Sequence, residues 1–320
     1  GADVEVLSDA LNSIPAGGFN VEVSRVQKSG IDCCDFNVIL DAEHENHDHD
    51  MAYLYGPEPV AEEKAEEEHH HCHCHDEGEE EHHHCHCHDE EKEGHHHCHC
   101  HEGDETAHHH HHDHGEGHHH HHEHRHLADV EGIIDATDMT DSAKALANRI
   151  FRIVAEAESK AHNLPLEEVH FHEVGAIDSI VDIISAAVCF DNLGVTDVIV
   201  PKLTEGTGTV RCQHGVLPVP VPATLHIVED YDMPLEIMDA KGEYVTPTGA
   251  AIAAALCTTH TLPKTFKVLG TGLGAGKRAY TERTNILRAF LIETEEEGDK
   301  DEVVKIETDI DDCTGEALGY

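Results

Sequence analysis

Hydrophobic positions along the chain follow two periods, one helical and one alternating, which together predict an α/β or α+β fold: a mixed sheet with packed helices. Val4, Leu7 and Leu11 predict a helix running to about Ile14, with a turn at Pro15–Gly18. Val21 and Val23, then Phe36, Val38 and Leu40, alternate as two strands joined at Ser29-Gly30. Adjacent Cys33 and Cys34 should face opposite sides of the second strand. Ala145, Leu146, Ile150, Ile153 and Val154 predict an amphipathic helix over 141–163, capped by Asp141 or Ser142. Ala176–Leu193 reads as a buried helix that Gly194 terminates.

Further strands are expected at Val198–Val200, Asn285–Ile292 and Val303–Glu307. Pro218, Pro220 and Pro222 alternate with Val219 and Val221, so that run is extended, near polyproline geometry. Pro222 suits the first turn of a helix over Ala223–Val228. Thr246-Pro247-Thr248-Gly249 opens a helix of small residues, Ala250–Leu256.

Between Glu43 and His126 neither period survives. The unit HHHCHCH occurs at His69–His75, His82–His88 and His95–His101, with acidic residues after each copy, and histidine blocks follow at His108–His112 and His118–His122. Its few apolar residues, Met51 to Tyr55 and Val60, cannot offset the entropy of ordering, so no secondary structure is expected there. Four segments result: 1–42 as the N-terminal part of the folded domain, 43–126 as a disordered insertion, 127–298 as the main α/β domain, and 299–320 as the start of a truncated C-terminal domain. The chain opens at Gly1 inside a helical pattern and stops at Tyr320 just after a dense motif, so a fragment lacking something at both ends is expected.

Charge narrows the partners. A formal charge of −46, spread over tract and folded part alike, repels nucleic acid and anionic membrane surfaces. No apolar run is long enough to span a bilayer. The C-x-C pairs suit a metal better than a disulfide, which fits a reducing cytoplasm.

Five constellations can carry chemistry. In the tract, thiolate and imidazole favour Ni²⁺, Cu, Zn²⁺ or Co²⁺ over hard ions, through His69, His71, Cys72, His73, Cys74 and His75 in the first repeat. His84, Cys85, His86, Cys87 and His88 repeat them, as do His97, Cys98, His99, Cys100 and His101. Flexible ligands wrap any geometry, so the tract exchanges its ions and does not choose one by shape. In the ordered part, His170 and His172 flank Phe171, precede Glu173, and stand near Asp178 and Asp182, which lie one helical turn apart. The alternative is histidines satisfied at a helix start. Cys212 and His214 form a C-x-H pair that can chelate an ion or act as a nucleophile pair. Two stretches could hold an anion: the glycine run through Gly272 and Gly274 to Lys277 and Arg278, and the helix start at Thr246, Thr248 and Gly249. Tight turns explain both equally well. Asp309–Glu316 gathers four carboxylates and a thiol, which an acidic turn also explains.

VHFHEVGAIDSIVDI (Val169–Ile183), GTGTVRCQHGVLPVPVPAT (Gly206–Thr224), YVTPTGAA (Tyr244–Ala251) and ETDIDDCTGEALGY (Glu307–Tyr320) together resemble the nickel insertion proteins of the nickel-pincer cofactor pathway, the LarC family. The resemblance covers most of 127–320 and, more loosely, 1–42; a histidine-rich insertion at this point is a habit of that family. It implies CTP-dependent insertion of Ni²⁺ into pyridinium-bisthiocarboxylic acid mononucleotide, with a divalent ion beside CTP in a further C-terminal domain. It also implies a lyase-type metal inserter that serves apo-enzymes such as lactate racemase, and a homo-oligomer is expected. Forming a nickel–carbon bond removes a ring proton, so a base is needed near the metal. His170, His172 and Glu173, with Cys212 and His214, are the expected residues around the nickel or acting as base. The substrate phosphate is expected at Gly270–Arg278 or Thr246–Gly249. The alternative is a nickel storage protein or metallochaperone with no catalysis of its own.

Overall fold

The computed structural model describes residues 1–40, 51–55, 125–169, 171, 176–212, 214–280 and 283–294, together with the backbone of 302–307. The elements in chain order are α1 (Val4–Asn12), β1 (Phe19–Lys28), β2 (Ile31–Leu40), α2 (Met51–Tyr55), α3 (Leu127–Ala136), α4 (Asp141–His162) and α5 (Ile177–Leu193). Then come β3 (Asp197–Ile199), β4 (Leu203–Thr207), β5 (Thr209–Cys212), β6 (Gly215–Pro218), α6 (Pro222–Asp230), β7 (Leu235–Lys241), α7 (Pro247–Leu256), β8 (Lys267–Ala275), β9 (Ile286–Glu293) and β10 (Glu302–Glu307).

α4 sits at the centre of the helical layer, packed against α3, α5, α6 and α7. Its buried stripe is Ala143, Ala147, Ile150, Phe151, Ile153, Val154, Ala155 and Ala157. Of the expected positions, Leu146 packs half-buried against the core, while Ala145 is exposed because Ala143 and Ala147 keep the period with Ile150 and Val154. The cap is Thr140, whose side chain accepts from the Ala143 amide at 3.0 Å. Asn163 ends the helix in the left-handed region, φ 53°. α5 and α7 carry apolar groups on all sides and are buried on all sides, as such helices must be.

A six-stranded mixed sheet runs in the order β1-β2-β8-β9-β10-β3. The β1–β2 hairpin turns at Ser29 (φ 49°) and Gly30 (φ 80°), the positive pair that matches strand twist in a two-residue turn. Cys33 and Cys34 are both buried: Cys33 packs with Ala275 and Ile286, while neighbouring Phe36 lies in the main core. The sheet is therefore covered on both faces along β2.

Two expectations give way. The glycine-rich run, read as an anion cradle or tight turns, is strand β8, paired along its length with β9. β10 lies in the main sheet between β9 and β3. Met51–Tyr55, expected to be structureless, forms α2, and Leu54 is buried against Val210, Val219 and Val221. The proline run is extended as expected, with Pro218 at the end of β6 and Val221 at φ −71°, ψ 152°; the Val219–Pro220 peptide is cis.

Candidate metal site and the buried network beside it

β5 and β6 form a tight hairpin with Cys212 opposite Gly215, whose φ of 101° only glycine adopts readily. The turn sets Cys212 Sγ 3.9 Å from His214 Nδ1. His162, in the last turn of α4, lies beside them, its ring centroid 4.8 Å from that of His214. Its Nε2 is 3.5 Å from Glu158 Oε2, one helical turn earlier. Burial, and after it the proximity of His214, lowers the His162 pKa. The ring therefore stays neutral, the form that binds metal, over a wider pH range. The sequence reading found Cys212 and His214 and missed His162. The i, i+4 spacing of Glu158 and His162 was its only local signal, and proximity to the hairpin was invisible.

A second cysteine–histidine pair has a different status. Cys257 Sγ lies 3.5 Å from His260 Nδ1, but the thiol donates to the Thr259 carbonyl at 3.3 Å and the ring nitrogen stands 2.8 Å from the Val200 carbonyl. Backbone oxygens hold this pair, which ties the segment after α7 to the end of β3.

The two expected anion cradles meet at one corner and are largely neutralised there. Gly272 and Gly274 belong to the β8–β9 ladder. Lys277 pairs with Asp35. Arg278, 4 % exposed, donates to Glu243 Oε2 and to the Tyr55 hydroxyl, both at 3.1 Å. Tyr280 donates to the Glu243 carbonyl at 2.7 Å and stacks on Tyr244 with centroids 4.2 Å apart. Arg283 lies over the Tyr244 ring at 5.6 Å. Three residues on, the Thr246 side chain accepts from the Gly249 amide at 3.2 Å and caps α7, with Thr248 inside the first turn.

Beneath this corner is Glu205 of β4, fully buried. Its Oε1 accepts from the amides of Gly206 (2.7 Å) and Tyr244 (2.6 Å), and its Oε2 has no partner. Burial pushes its pKa up to about 7, against the pull of backbone amides and of Arg278. Gly206 is required here, because a Cβ would stand 2.2 Å from the Gly242 carbonyl oxygen. No sequence signal marked Glu205: beyond the adjacent Gly206 amide, its hydrogen-bond partner Tyr244 lies 39 residues downstream.

Asp178 is in the first turn of α5 and accepts from the Ser179 amide at 2.9 Å; Asp182 follows one turn later, 8 % exposed. His170, His172 and Glu173, the ligands at His69–His101 and the Asp309–Glu316 cluster lie outside the described residues. Among the described residues no three His, Cys, Asp or Glu side chains already converge as a ready-made metal site. No described helix is long and apolar enough to cross a membrane.

The family model described as "Nickel insertion protein" matches residues 1–320. A protein of Alkaliphilus metalliredigens named pyridinium-3,5-bisthiocarboxylic acid mononucleotide nickel insertion protein is 40% identical over 334 residues, covering 100% of this chain and 65% of its own. One of the same name from Acetivibrio thermocellus is 46% identical over 197 residues, covering 61% of this chain and 48% of its own. The chain thus spans about half to two thirds of the length of these relatives. No solved structure matches.

Proposed function

The chain belongs to the nickel insertion protein family, and we propose that it carries the nickel-handling part of a protein that inserts Ni²⁺ into pyridinium-3,5-bisthiocarboxylic acid mononucleotide. The observation that carries this reading is the 40% identity, across the whole chain, to the Alkaliphilus protein of that name. Ni²⁺ is here the cargo. Two thiocarboxylate sulfurs and a ring carbon of the substrate take the ion, the ring C–H breaks, and its proton goes to a base of the protein.

Cytoplasmic thiols and imidazoles suit the task, being soft or borderline ligands that capture nickel yet exchange it. His170, His172 and Glu173 are the proposed base and metal contacts, with Cys212 and His214 at the hairpin. The substrate phosphate is proposed at Thr246–Gly249 or at Gly270–Arg278; at the second, Lys277 and Arg278 would exchange Asp35 and Glu243 for it. CTP with a divalent ion, lyase-type chemistry, delivery to apo-enzymes such as lactate racemase, and homo-oligomeric assembly complete the proposal for the whole protein.

In the full-length protein, His170→Ala and His172→Ala should lower the insertion rate by about 10²–10⁴-fold, the usual range for a positioned acid–base group. Unchanged insertion by both variants overturns their assignment.

The threefold HHHCHCH repeat favours one rival, a storage or chaperone role. Deleting 56–124 separates the two while leaving Tyr55 on the Arg278 network and Arg125 on its bridge to Phe171. With ample nickel, retained cofactor maturation supports the inserter; complete loss supports storage.

A further inference from the structure

His162 enters from a different element than Cys212 and His214. α4 delivers it at a helix C-terminus, where the macrodipole favours a cation, and the hairpin delivers the other two. A tetrahedral ion with ordinary metal–sulfur and metal–nitrogen bonds holds S and N about 3.6 Å apart. Cys212 Sγ and His214 Nδ1 stand at 3.9 Å, so a small closure brings them to that edge. The His162 and His214 ring centroids are 4.8 Å apart, with the rings 46° apart in plane. These are surface side chains, which change rotamer in picoseconds to nanoseconds, so ligands that do not yet converge can do so around an ion. The carboxylate of Glu158 stands where a metal-binding histidine usually has its orienting acid, though here at the ring's Nε2.

We propose that Cys212, His214 and His162 form an exchangeable thiolate–imidazole site for a borderline divalent metal, with Glu158 positioning His162. The ligand set rests on this geometry alone; taking Ni²⁺ as the cargo rests on the function proposed above. Three protein ligands at an exposed corner leave a coordination position open, which distinguishes a transfer site from a closed four-ligand structural one. The site also gives nickel captured by the tract an ordered place from which to leave.

The test uses the full chain and nickel chloride. Iodoacetamide labelling is followed peptide by peptide, so Cys212 is read separately from Cys72 and the other tract thiols in one sample. Nickel should protect Cys212 in the unaltered protein. In His162→Ala and His162→Gln, the free Ni²⁺ concentration that half-protects Cys212 should rise at least about tenfold, since even a residue behind a ligand is worth ~10–100-fold in affinity. Glu158→Gln should give a rise within that range. Tract thiols should be protected as before in all variants, and far-UV circular dichroism should be unchanged. Equal protection of Cys212 with and without His162, or none in the unaltered protein, overturns the site. Failed nickel insertion with Cys212 protection intact counts against the proposed function and leaves the site standing.

Discussion

Glu205 and Cys212 lie seven residues apart, separated by the glycine corner at Gly208, and their surroundings are opposite. Around Glu205, the carboxylate of Glu243, the guanidinium of Arg278 and the hydroxyls of Tyr55 and Tyr280 bind one another and the backbone, away from water. Beside Cys212 is His214, followed in turn by His162 and Glu158, all of them metal-ligand types. Charge is satisfied internally in the first cluster, while the second gathers exchangeable ligand types at the surface. The first should therefore govern stability and its pH dependence, and the second metal exchange. The Cys257–His260 pair shows that residue type is not the difference: there, backbone carbonyls have taken the same two groups.

The largest expected effect tests the buried side. Arg278→Met leaves Glu243 enclosed without its cation and should cost about 3–5 kcal/mol in chemical denaturation. Nickel protection of Cys212 in the folded fraction should be unchanged. A variant as stable as the parent would erase the contrast between the clusters.

Next comes Glu205→Gln, read against pH. The folded pKa, about 7, is raised above the ordinary 4.5, so the folded state holds its proton more tightly than the unfolded chain. Stability from this group is therefore full below about pH 4.5 and is lost as pH rises toward 7, on the order of 3 kcal/mol in all. The amides of Tyr244, Gly206 and Val245, and after them Arg278, face the carboxyl and already work against the shift. Urea titrations at pH 5 and pH 8 should show the variant gaining on the parent as pH rises. A constant difference between the two would mean that Glu205 does not titrate in this window.

Gly206→Ala is smaller. The new methyl meets the Gly242 carbonyl oxygen, and separating β4 from that turn should cost about 1–3 kcal/mol by thermal or urea unfolding. Stability within error of the parent would mean that the two backbones part freely.

His214→Ala has the least effect on stability, within about 0.5 kcal/mol, as for a surface change away from the core. It should abolish nickel protection of Cys212. A large loss of stability instead would make the hairpin corner structural.

Much of the scaffold was legible in advance because its signals are local. The α4 period, the Gly194 stop, Pro222 at the start of α6 and the Thr246 start of α7 all depend on residues within a turn of one another. The misreadings arose where distant chain decides. Gly270, Gly272 and Gly274 read as turn residues until β9 supplies the ladder that makes them a strand. Met51–Tyr55 has too little apolar surface to fold alone, and it is a helix because Val210, Val219 and Val221 cover Leu54.

The sequence by itself determined the chemistry available: soft ligands in repeats, a C-x-H pair, an acidic surface and the family. It could do so because ligand type and hydrophobic period are written in neighbouring residues. Only the tertiary structure decided which groups are sealed and which stay open. It enclosed Arg278 with Glu243, left Glu205 Oε2 without a partner, and brought His162 to the hairpin from fifty residues upstream. Burial and proximity between distant segments depend on packing of the whole chain, and no local pattern encodes them.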